Sequence, residues 1–394
     1  MILPFAESPR QPSLSPFARV EDFLSASQNN DPNLYPGQRP ETSYVTDGTE
    51  VFAVNVTIED DQLSFRVPTE TGEVDVDDYL RSKNVPTMEE RIPVLAFGAN
   101  MAPGSLAKKF RKDVMPADGD QAEHVDARPD LSIVPTIYGT LPGYDVVWSG
   151  GPGVNGNLAA ILYRGAETAD TRVQVGLNFL TREQLLMMNA TELSYNLSTL
   201  EVEVAGKQVR ALYYAGADSI YLRDGKPIAV QGIPAQERNL STDTTRHLLD
   251  DLLENSELRG RLAQNYPELA NITTSSEYHD FVRSLKSQAG SQPRLALKKF
   301  VQAALLERGK AKIVEDTSAQ QRLVSWANPS TIAAYGQQKR GIQYNAVYRL
   351  PSQELPKEAW QNAAARDKVL RGVGVHLTRT ALPELVVIED QKKQ

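Results

Sequence analysis

The sequence contains no cysteine among its 394 residues. This absence excludes disulfide bonds, thiolate nucleophiles and most structural zinc sites. The sequence also has no run of about 18 apolar residues, so we expect no membrane-spanning helix. The N-terminal residues lack a basic stretch followed by an apolar one, which argues against a secretory signal. Together these absences predict a cytoplasmic protein.

Positively charged residues are outnumbered by negatively charged ones. The sequence has 42 Lys and Arg residues and 50 Asp and Glu residues, which gives a formal net charge of −8. A chain of this charge repels phosphate backbones and anionic lipids, so we expect neither nucleic acid nor membrane as a partner. Lys108, Lys109, Arg111 and Lys112 form a local basic cluster. The simpler interpretation of this cluster is a solvated helix face.

Composition divides the chain into four segments. Residues 1–45 are rich in Pro, Ser, Asn and Gln and are expected to form an irregular N-terminal arm. Residues 46–92 predict a β-hairpin around an acidic turn and a short Asp-capped helix, both packing on the core. Residues 93–239 mix many strand patterns with a few short helices, which predicts an α+β domain with a mixed, barrel-like β core. Residues 240–394 predict a mainly helical C-terminal region.

Two familiar site motifs are weak or missing. The stretch GPGVNG from Gly151 to Gly156 matches G-x-G-x-x-G, but a strand pattern follows it where a dinucleotide site needs a helix. We therefore interpret it as a glycine-rich connection between strands. The four histidines are far apart in the sequence and form no pair with metal-ligand spacing. The sequence accordingly predicts neither a metal ion nor another cofactor.

Two other features are candidates for a site. A buried-type strand leads into the small residues Gly98, Ala99 and Asn100, and a helix pattern follows them. Such a turn is either a tight connection or a place where backbone amides meet an anion. Glu192 ends a helix pattern that begins at Thr181, and its neighbours are apolar and aromatic. It is either an ordinary surface acid or a desolvated carboxylate suited to acid–base chemistry.

The order of these features resembles that of the gamma-glutamylcyclotransferase-like superfamily over about residues 93–215. That family has a Y-G-S-N-L-type loop after a strand, a V-x-G-x-x-Y/F-x-L strand, a helix with L-D-x-x-E, a nearby tyrosine and an A-x-x-Y hairpin. The corresponding residues here are Phe97-Gly98-Ala99-Asn100-Met101, Val175 to Leu180, Met188 to Glu192, Tyr195, and Ala211 to Tyr214. The chain departs from the pattern at Phe97, Ala99, Asn189 and Leu193.

The resemblance implies cyclisation of a gamma-glutamyl amide to 5-oxoproline with release of an amine and without a cofactor. Glu192 would be the general acid and base, and the substrate-binding residues would be Phe97, Gly98, Ala99, Asn100, Met101, Tyr195 and Tyr214. The alternative is a non-catalytic binding or assembly protein that retains the fold with an altered pocket. In that case the C-terminal helical region could engage a protein partner. The residues alone leave both hypotheses open.

Overall fold

The computed structural model describes residues 18–25, 31–69, 72–110, 129–152, 156–181, 184–185, 188, 195–216, 219–289, 292–314, 322–325, 375–377 and 385–388. These residues form an α+β structure with short helices. The helices are α1 (Val20–Ser25), α2 (Val76–Ser82), α3 (Pro103–Phe110), α4 (Thr245–Glu254), α5 (Ser256–Ala263), α6 (Ser275–Ala289) and α7 (Gln292–Glu307). Short 3-10 helices lie at Pro32–Leu34, Ala99–Met101, Pro129–Ser132, Ala166–Thr168 and Pro267–Asn271. Within the described part of the chain, no helix combines the length and the apolar character needed to cross a membrane.

The strands belong to three sheets. They are β1 (Ala18–Arg19), β2 (Tyr44–Asp47), β3 (Glu50–Ala53), β4 (Asn55–Glu59), β5 (Gln62–Thr69), β6 (Gly72–Asp75), β7 (Ile92–Ala96), β8 (Ile133–Pro142), β9 (Asp145–Pro152), β10 (Leu158–Tyr163), β11 (Arg172–Leu180), β12 (Tyr195–Val204), β13 (Lys207–Gly216), β14 (Ser219–Arg223), β15 (Lys226–Pro227), β16 (Ala229–Val230), β17 (Ala235–Gln236), β18 (Thr242–Asp243), β19 (Ala311–Ile313), β20 (Arg322–Ser325), β21 (Val375–Leu377) and β22 (Leu385–Ile388).

Five strands of the largest sheet close into a barrel. Their order is β8–β11–β7–β13–β12, and β12 returns to β8 through the pair Glu203 and Thr140. Gly139 lies at this closure, where an added Cβ would be 2.6 Å from the carbonyl oxygen of Glu203. Only a glycine lets the two strands approach so closely. The prediction of an α+β structure with a barrel core is therefore confirmed.

The barrel is mixed because β13 runs parallel to β7, with Leu212 opposite Val94. The other neighbouring barrel strands are antiparallel. Parallel strands end at the same edge, so residues following β7 and residues near the end of β13 share one end of the barrel. β12 begins at that end as well, since Tyr195 pairs with Gly216.

The hairpin and helix predicted for residues 46–92 are present. β4 and β5 pair across a turn in which both Asp60 and Asp61 have positive φ, as a two-residue hairpin turn of the primed type requires. Asp75 caps α2, and its side chain accepts a hydrogen bond from the backbone N–H of Asp77. Both elements were predictable because their signals are local.

A second sheet carries the helices of the C-terminal region. β9 is its centre and pairs with β10, β14 and β16. Leu248 of α4, Tyr278 of α6 and Val301 of α7 share one hydrophobic cluster with Trp148 of β9. Residues 240–314 are mainly helical, whereas most of the chain beyond them lies outside the described residues.

The GPGVNG stretch is a connection at the contact between this sheet and the helices. β9 ends at Pro152 and β10 begins at Leu158, so the interpretation as a link between strands is confirmed. A Cβ added at Gly151 would lie 3.1 Å from the Cβ of Gln302 on α7. One added at Gly156 would lie 3.0 Å from the ring of His279 on α6. These two glycines allow the helices to approach the sheet closely.

The described part of the N-terminal arm, residues 18–25 and 31–45, has more structure than its composition indicates. Residues 18–25 contain β1 and α1, and residues 31–43 are irregular apart from one 3-10 turn. The irregular part is nevertheless packed, since Arg39 is 4% exposed and Tyr44, where β2 begins, is fully buried. Proline and polar residues therefore form part of the interior here. The composition of this segment predicted the absence of regular structure but not its burial.

Candidate functional site

The loop after β7 makes one tight turn before α3 begins at Pro103. The N–H of Met101 donates to the carbonyl of Gly98 at 3.0 Å, and the N–H of Ala102 donates to the carbonyl of Ala99 at 3.0 Å. Proline suits the first helical position because its missing N–H would have no partner there. The turn uses the amides of Met101 and Ala102 internally. The amides of Gly98 and Ala99 make no hydrogen bond to another described residue.

The side chain of Asn178, on β11, holds this turn through a hydrogen bond. Its side-chain amide nitrogen donates to the carbonyl of Asn100 at 3.1 Å, and its oxygen accepts a hydrogen bond from the Thr136 hydroxyl at 2.9 Å. Asn178 is 1% exposed, so both of its side-chain polar atoms are satisfied in the interior. The sequence signal for this role is a single polar residue within the apolar stretch VGLNFL, a signal that the predictions from sequence did not include.

Residues 35–44 also pack against this turn and cover it. The Tyr44 hydroxyl donates to the carbonyl of Met101 at 2.9 Å, and Nη1 of Arg39 lies 3.3 Å from the Met101 sulfur. Burial raises the pKa of Tyr44 well above its ordinary value, which keeps the hydroxyl protonated as a donor. Tyr35 lies over Gly98, and its hydroxyl oxygen accepts a hydrogen bond from the N–H of Ala160 at 2.9 Å. We call residues 35–44 the covering segment.

Met101 is anchored on all sides by these contacts. Its side chain is fully buried and lies over Gly176, where an added Cβ would be 3.5 Å from Cγ of Met101. Phe97, at the end of β7, is half-buried against the larger hydrophobic cluster. Met101 and Phe97 therefore stabilise the turn through packing of their side chains.

Tyr214 lies at the same end of the barrel as the turn. It is 5% exposed and belongs to a hydrophobic cluster with Val94, Leu212 and Met188. The backbone of Tyr195 pairs with Gly216, two residues beyond Tyr214. The fold thus brings together Gly98 to Met101, Tyr214 and the backbone of Tyr195, although they are up to about 120 residues apart in sequence.

The predicted helix from Thr181 begins as expected. The hydroxyl of Thr181 accepts from the N–H of Gln184 at 3.2 Å, and the side chain of Gln184 accepts from the N–H of Thr181 at 2.8 Å. These reciprocal bonds are a capping box. Leu185 and Met188 are helical and buried in the cluster that contains Tyr214. Glu192 lies outside the described residues, as does Asn189, so the role of Glu192 stays a prediction.

Buried Arg91 fixes the start of this helix relative to the barrel. Its Nη1 atom donates to the carbonyls of Ile133 and Phe179 and to the side chain of Gln184, at 3.1, 3.2 and 3.3 Å. Gln184 in turn donates to the carbonyl of Ile133 at 3.0 Å. The helix therefore starts at the end of the barrel opposite the Gly98 turn. Local sequence patterns do not indicate this junction because its partners are distant along the chain.

Charged side chains suggest no metal centre in the part of the chain that the structure describes. No group of three or more His, Asp or Glu residues there has ligand geometry.

The basic cluster is described only at its first two residues. Lys108 and Lys109 lie on α3 and are half-buried, and burial lowers the pKa of Lys108. Lys109 lies 3.2 Å from the sulfur of Met188. The other two cations of the basic cluster, Arg111 and Lys112, lie outside the described residues.

Comparison with known proteins adds no relative. No family model matches the sequence, and neither a curated protein nor a solved structure matches it.

Proposed function

We propose that the protein is a gamma-glutamylcyclotransferase-like enzyme that cyclises a gamma-glutamyl amide to 5-oxoproline and releases an amine. The observation that carries the proposal is the meeting of three separate segments at one end of a closed barrel. The Gly98 turn follows β7, Tyr214 lies near the end of β13, and β12 begins with Tyr195 at the same end. Glu192 precedes Tyr195 by three residues, which supports a carboxylate near this end.

The reaction requires little more than orientation and one proton carrier. The attacking α-amine and the γ-carbonyl belong to the same molecule, so holding them close lowers much of the barrier. The amine is largely protonated near neutral pH and must lose a proton before it attacks. In the proposal the carboxylate of Glu192 takes that proton and donates it to the leaving nitrogen, and the second proton that the attacking nitrogen loses on ring closure is taken up by the released amine. The new bond joins the amine nitrogen to the γ-carbon, and the bond from that carbon to the leaving nitrogen breaks.

The turn contributes donors for negative charge. Because Met101 and Ala102 use their N–H groups inside the turn, the proposal assigns anion contacts to the amides of Gly98 and Ala99. Backbone amides can bind a carboxylate or a developing oxyanion without a side-chain hydroxyl. The replacement of the family's serine by Ala99 is therefore compatible with this role. Phe97, Met101 and Asn100 would shape the turn, and Tyr195 and Tyr214 would line the substrate pocket.

The test is the release of 5-oxoproline from a panel of gamma-glutamyl amides. Glu192→Gln is expected to lower kcat by at least about 100-fold, the typical contribution of a positioned acid or base. The matched control is Glu201→Gln on β12, since Glu201 is a surface acid that pairs with Arg210. Full activity in Glu192→Gln would contradict the assignment of the base. Equal losses in both variants would point to a general effect on folding.

A second candidate function rests on the covering segment. Tyr35, Arg39 and Tyr44 pack directly on the turn, which favours a protein that retains the fold but uses a different surface for binding or assembly. In this case no gamma-glutamyl amide yields 5-oxoproline. The shift in unfolding temperature caused by added 5-oxoproline or substrate would then be the same for the parent protein and for Glu192→Gln. Ligand stabilisation that is lost in Glu192→Gln would instead support the enzyme.

A further inference from the structure

Arg39, in the covering segment, is a buried cation beside the Gly98 turn that forms no ion pair with a described residue. Its side chain is 4% exposed. Nη1 lies 3.3 Å from the sulfur of Met101, and Nη2 donates to the carbonyl of Gly232 at 2.5 Å. A thioether is a weak acceptor and a carbonyl carries no net charge. Neither contact therefore neutralises the guanidinium group.

The charged and titratable groups that act on Arg39 do not supply the missing negative charge. Arg238 acts on it as a like charge, and the carboxylate of Asp145 is already bound to Arg238 by two hydrogen bonds. Tyr44 and Tyr138 also interact with Arg39, but burial raises the pKa of both hydroxyls, so they stay neutral. The surroundings of Arg39 thus carry one uncompensated positive charge.

A buried charge without a counterion is costly, which is the physical reason to expect a ligand here. Burial lowers the pKa of Arg39 because it desolvates the charged form. Glu41, the one acid of the covering segment, is exposed to solvent. A guanidinium group has five N–H groups, and the contacts of Arg39 use two of them. A carboxylate could accept from two of the others and neutralise the charge at the same time.

The turn beside Arg39 offers further donors and no acid. The amides of Gly98 and Ala99 have no acceptor in the part of the chain that the structure describes. Oγ of Ser105, in the first turn of α3, is buried and has no hydrogen-bond partner there. Residues 97–106 contain neither Asp nor Glu. This excess of donors favours an anion over a neutral or cationic ligand.

We propose that Arg39 binds the α-carboxylate of the gamma-glutamyl substrate and of the product 5-oxoproline. The inference rests on the proposed function, because it names the group of that substrate which the site recognises. Only a small fraction of Arg39 is accessible, so the anion that reaches it must be a small terminal group, as a carboxylate is. Arg39 lies outside residues 93–215, so the resemblance to the family does not assign this role.

Isothermal titration calorimetry with 5-oxoproline and its neutral amide, 5-oxoprolinamide, tests the proposal. The full-length protein is expected to bind the carboxylate at least roughly tenfold more tightly than the amide. Arg39→Met removes the charge, so the two affinities are expected to become equal within about twofold. The ratio of two affinities measured on one variant does not depend on how much of that variant is folded. The matched control is Arg210→Met, on an exposed arginine that pairs with Glu201, and it should keep the full preference.

Arg39→Lys keeps the charge and tests the role if Arg39→Met does not fold. Lysine cannot form two parallel hydrogen bonds with a carboxylate, so the preference is expected to fall between those of the parent and Arg39→Met. Each of three results would overturn the proposal: no binding of 5-oxoproline by the parent, equal binding of the amide by the parent, or an unchanged preference in every folded Arg39 variant.

Failure of this inference can be distinguished from failure of the proposed function. A preference for the carboxylate that depends on Arg39, without release of 5-oxoproline from any gamma-glutamyl amide, would contradict the reaction and support the anion site. Release of 5-oxoproline by a parent protein that binds the carboxylate and the amide equally would support the reaction and overturn the role of Arg39.

Discussion

The hydroxyl oxygen of Tyr35 occupies the space into which a side chain at residue 98 would project. A Cβ added to Gly98 would lie 2.5 Å from that oxygen and 3.1 Å from the Cβ of Ala160. The oxygen is also held in place, because it accepts the N–H of Ala160 at 2.9 Å. Gly98 has a φ of −142°, so its backbone is not in the left-handed region. Close approach, rather than an unusual backbone conformation, explains the small residue at this junction.

Gly98→Ala is therefore expected to destabilise the protein. The added methyl group must displace either Tyr35 or the turn, and overpacking of this kind typically costs about 1–3 kcal/mol. Urea unfolding measures the loss. The control is Gly260→Ala in α5, where an added Cβ meets nothing within 4 Å. That variant is expected to be more stable than the parent by about 0.5–1 kcal/mol, because alanine favours a helix.

The clash between residues 35 and 98 also predicts coupling. Tyr35→Phe removes the hydroxyl but leaves the N–H of Ala160 without its acceptor, so alone it should destabilise by about 1–3 kcal/mol. In the double variant the methyl group fills space that the hydroxyl has left. The two changes together should therefore cost less than the sum of the single changes. Strict additivity in a double-mutant cycle would show that Tyr35 is not what excludes a side chain at residue 98.

Asn178→Ala is expected to loosen the turn as well as to destabilise the protein. The change leaves the carbonyl of Asn100 and the hydroxyl of Thr136 without their buried partner, at a cost of about 1–3 kcal/mol. If the turn binds substrate, KM should also rise. Gln174→Ala on the same strand is the control, because the half-buried Gln174 side chain makes no hydrogen bond to a described residue. A similar loss in both variants would argue against a special role for Asn178.

Local signals in the sequence predicted local structure well. The hairpin of β4 and β5, the Asp75 cap and the Thr181 cap all depend on residues within a few positions of one another. The small residues of the turn were also identified in this way. A barrel was expected from the number of strands, but its closure through Glu203 and Thr140 depends on a pairing 63 positions apart (203 − 140).

The support of the candidate site could not be predicted from local pattern. Tyr44 contacts Met101 across 57 positions, and Asn178 contacts Asn100 across 78. The covering segment is rich in proline and polar residues, and such a composition usually indicates an exposed, irregular segment. Here Arg39 is buried because Nη2 has an acceptor in the carbonyl of Gly232 at 2.5 Å. Only the tertiary structure supplies such partners.

The ion pair between Asp145 and Arg238 is expected to be important for stability. Asp145 has no exposed side-chain surface, and it accepts two hydrogen bonds from Arg238, at 2.7 and 2.8 Å. Asp145→Ala leaves the largely buried guanidinium without its partner, which typically costs about 3–5 kcal/mol. Urea unfolding measures this loss. Arg210→Ala, which breaks an exposed pair with Glu201, should cost less than about 1 kcal/mol.

His247 predicts a pH dependence of stability. Its Nδ1 atom lies 2.9 Å from a carboxylate oxygen of Asp243, and its Nε2 atom lies 3.9 Å from one of Asp251. The hydrogen bond to Asp243 is the main cause that raises the pKa of His247, while Arg223 opposes the shift. The folded protein therefore binds this proton more tightly than the unfolded chain. The resulting stabilisation is fully present below the unfolded pKa of about 6.5 and is lost as pH rises through the folded pKa.

Comparison of the parent protein with His247→Gln isolates this contribution. The difference in unfolding free energy between the two should be larger near pH 5 than near about pH 9. Buried His279 acts in the opposite direction, because burial lowers its pKa and its contribution is lost as pH falls. His247→Gln leaves His279 unchanged, so subtracting the two profiles removes its effect. A difference that does not vary with pH would mean that the charge of His247 does not stabilise the fold.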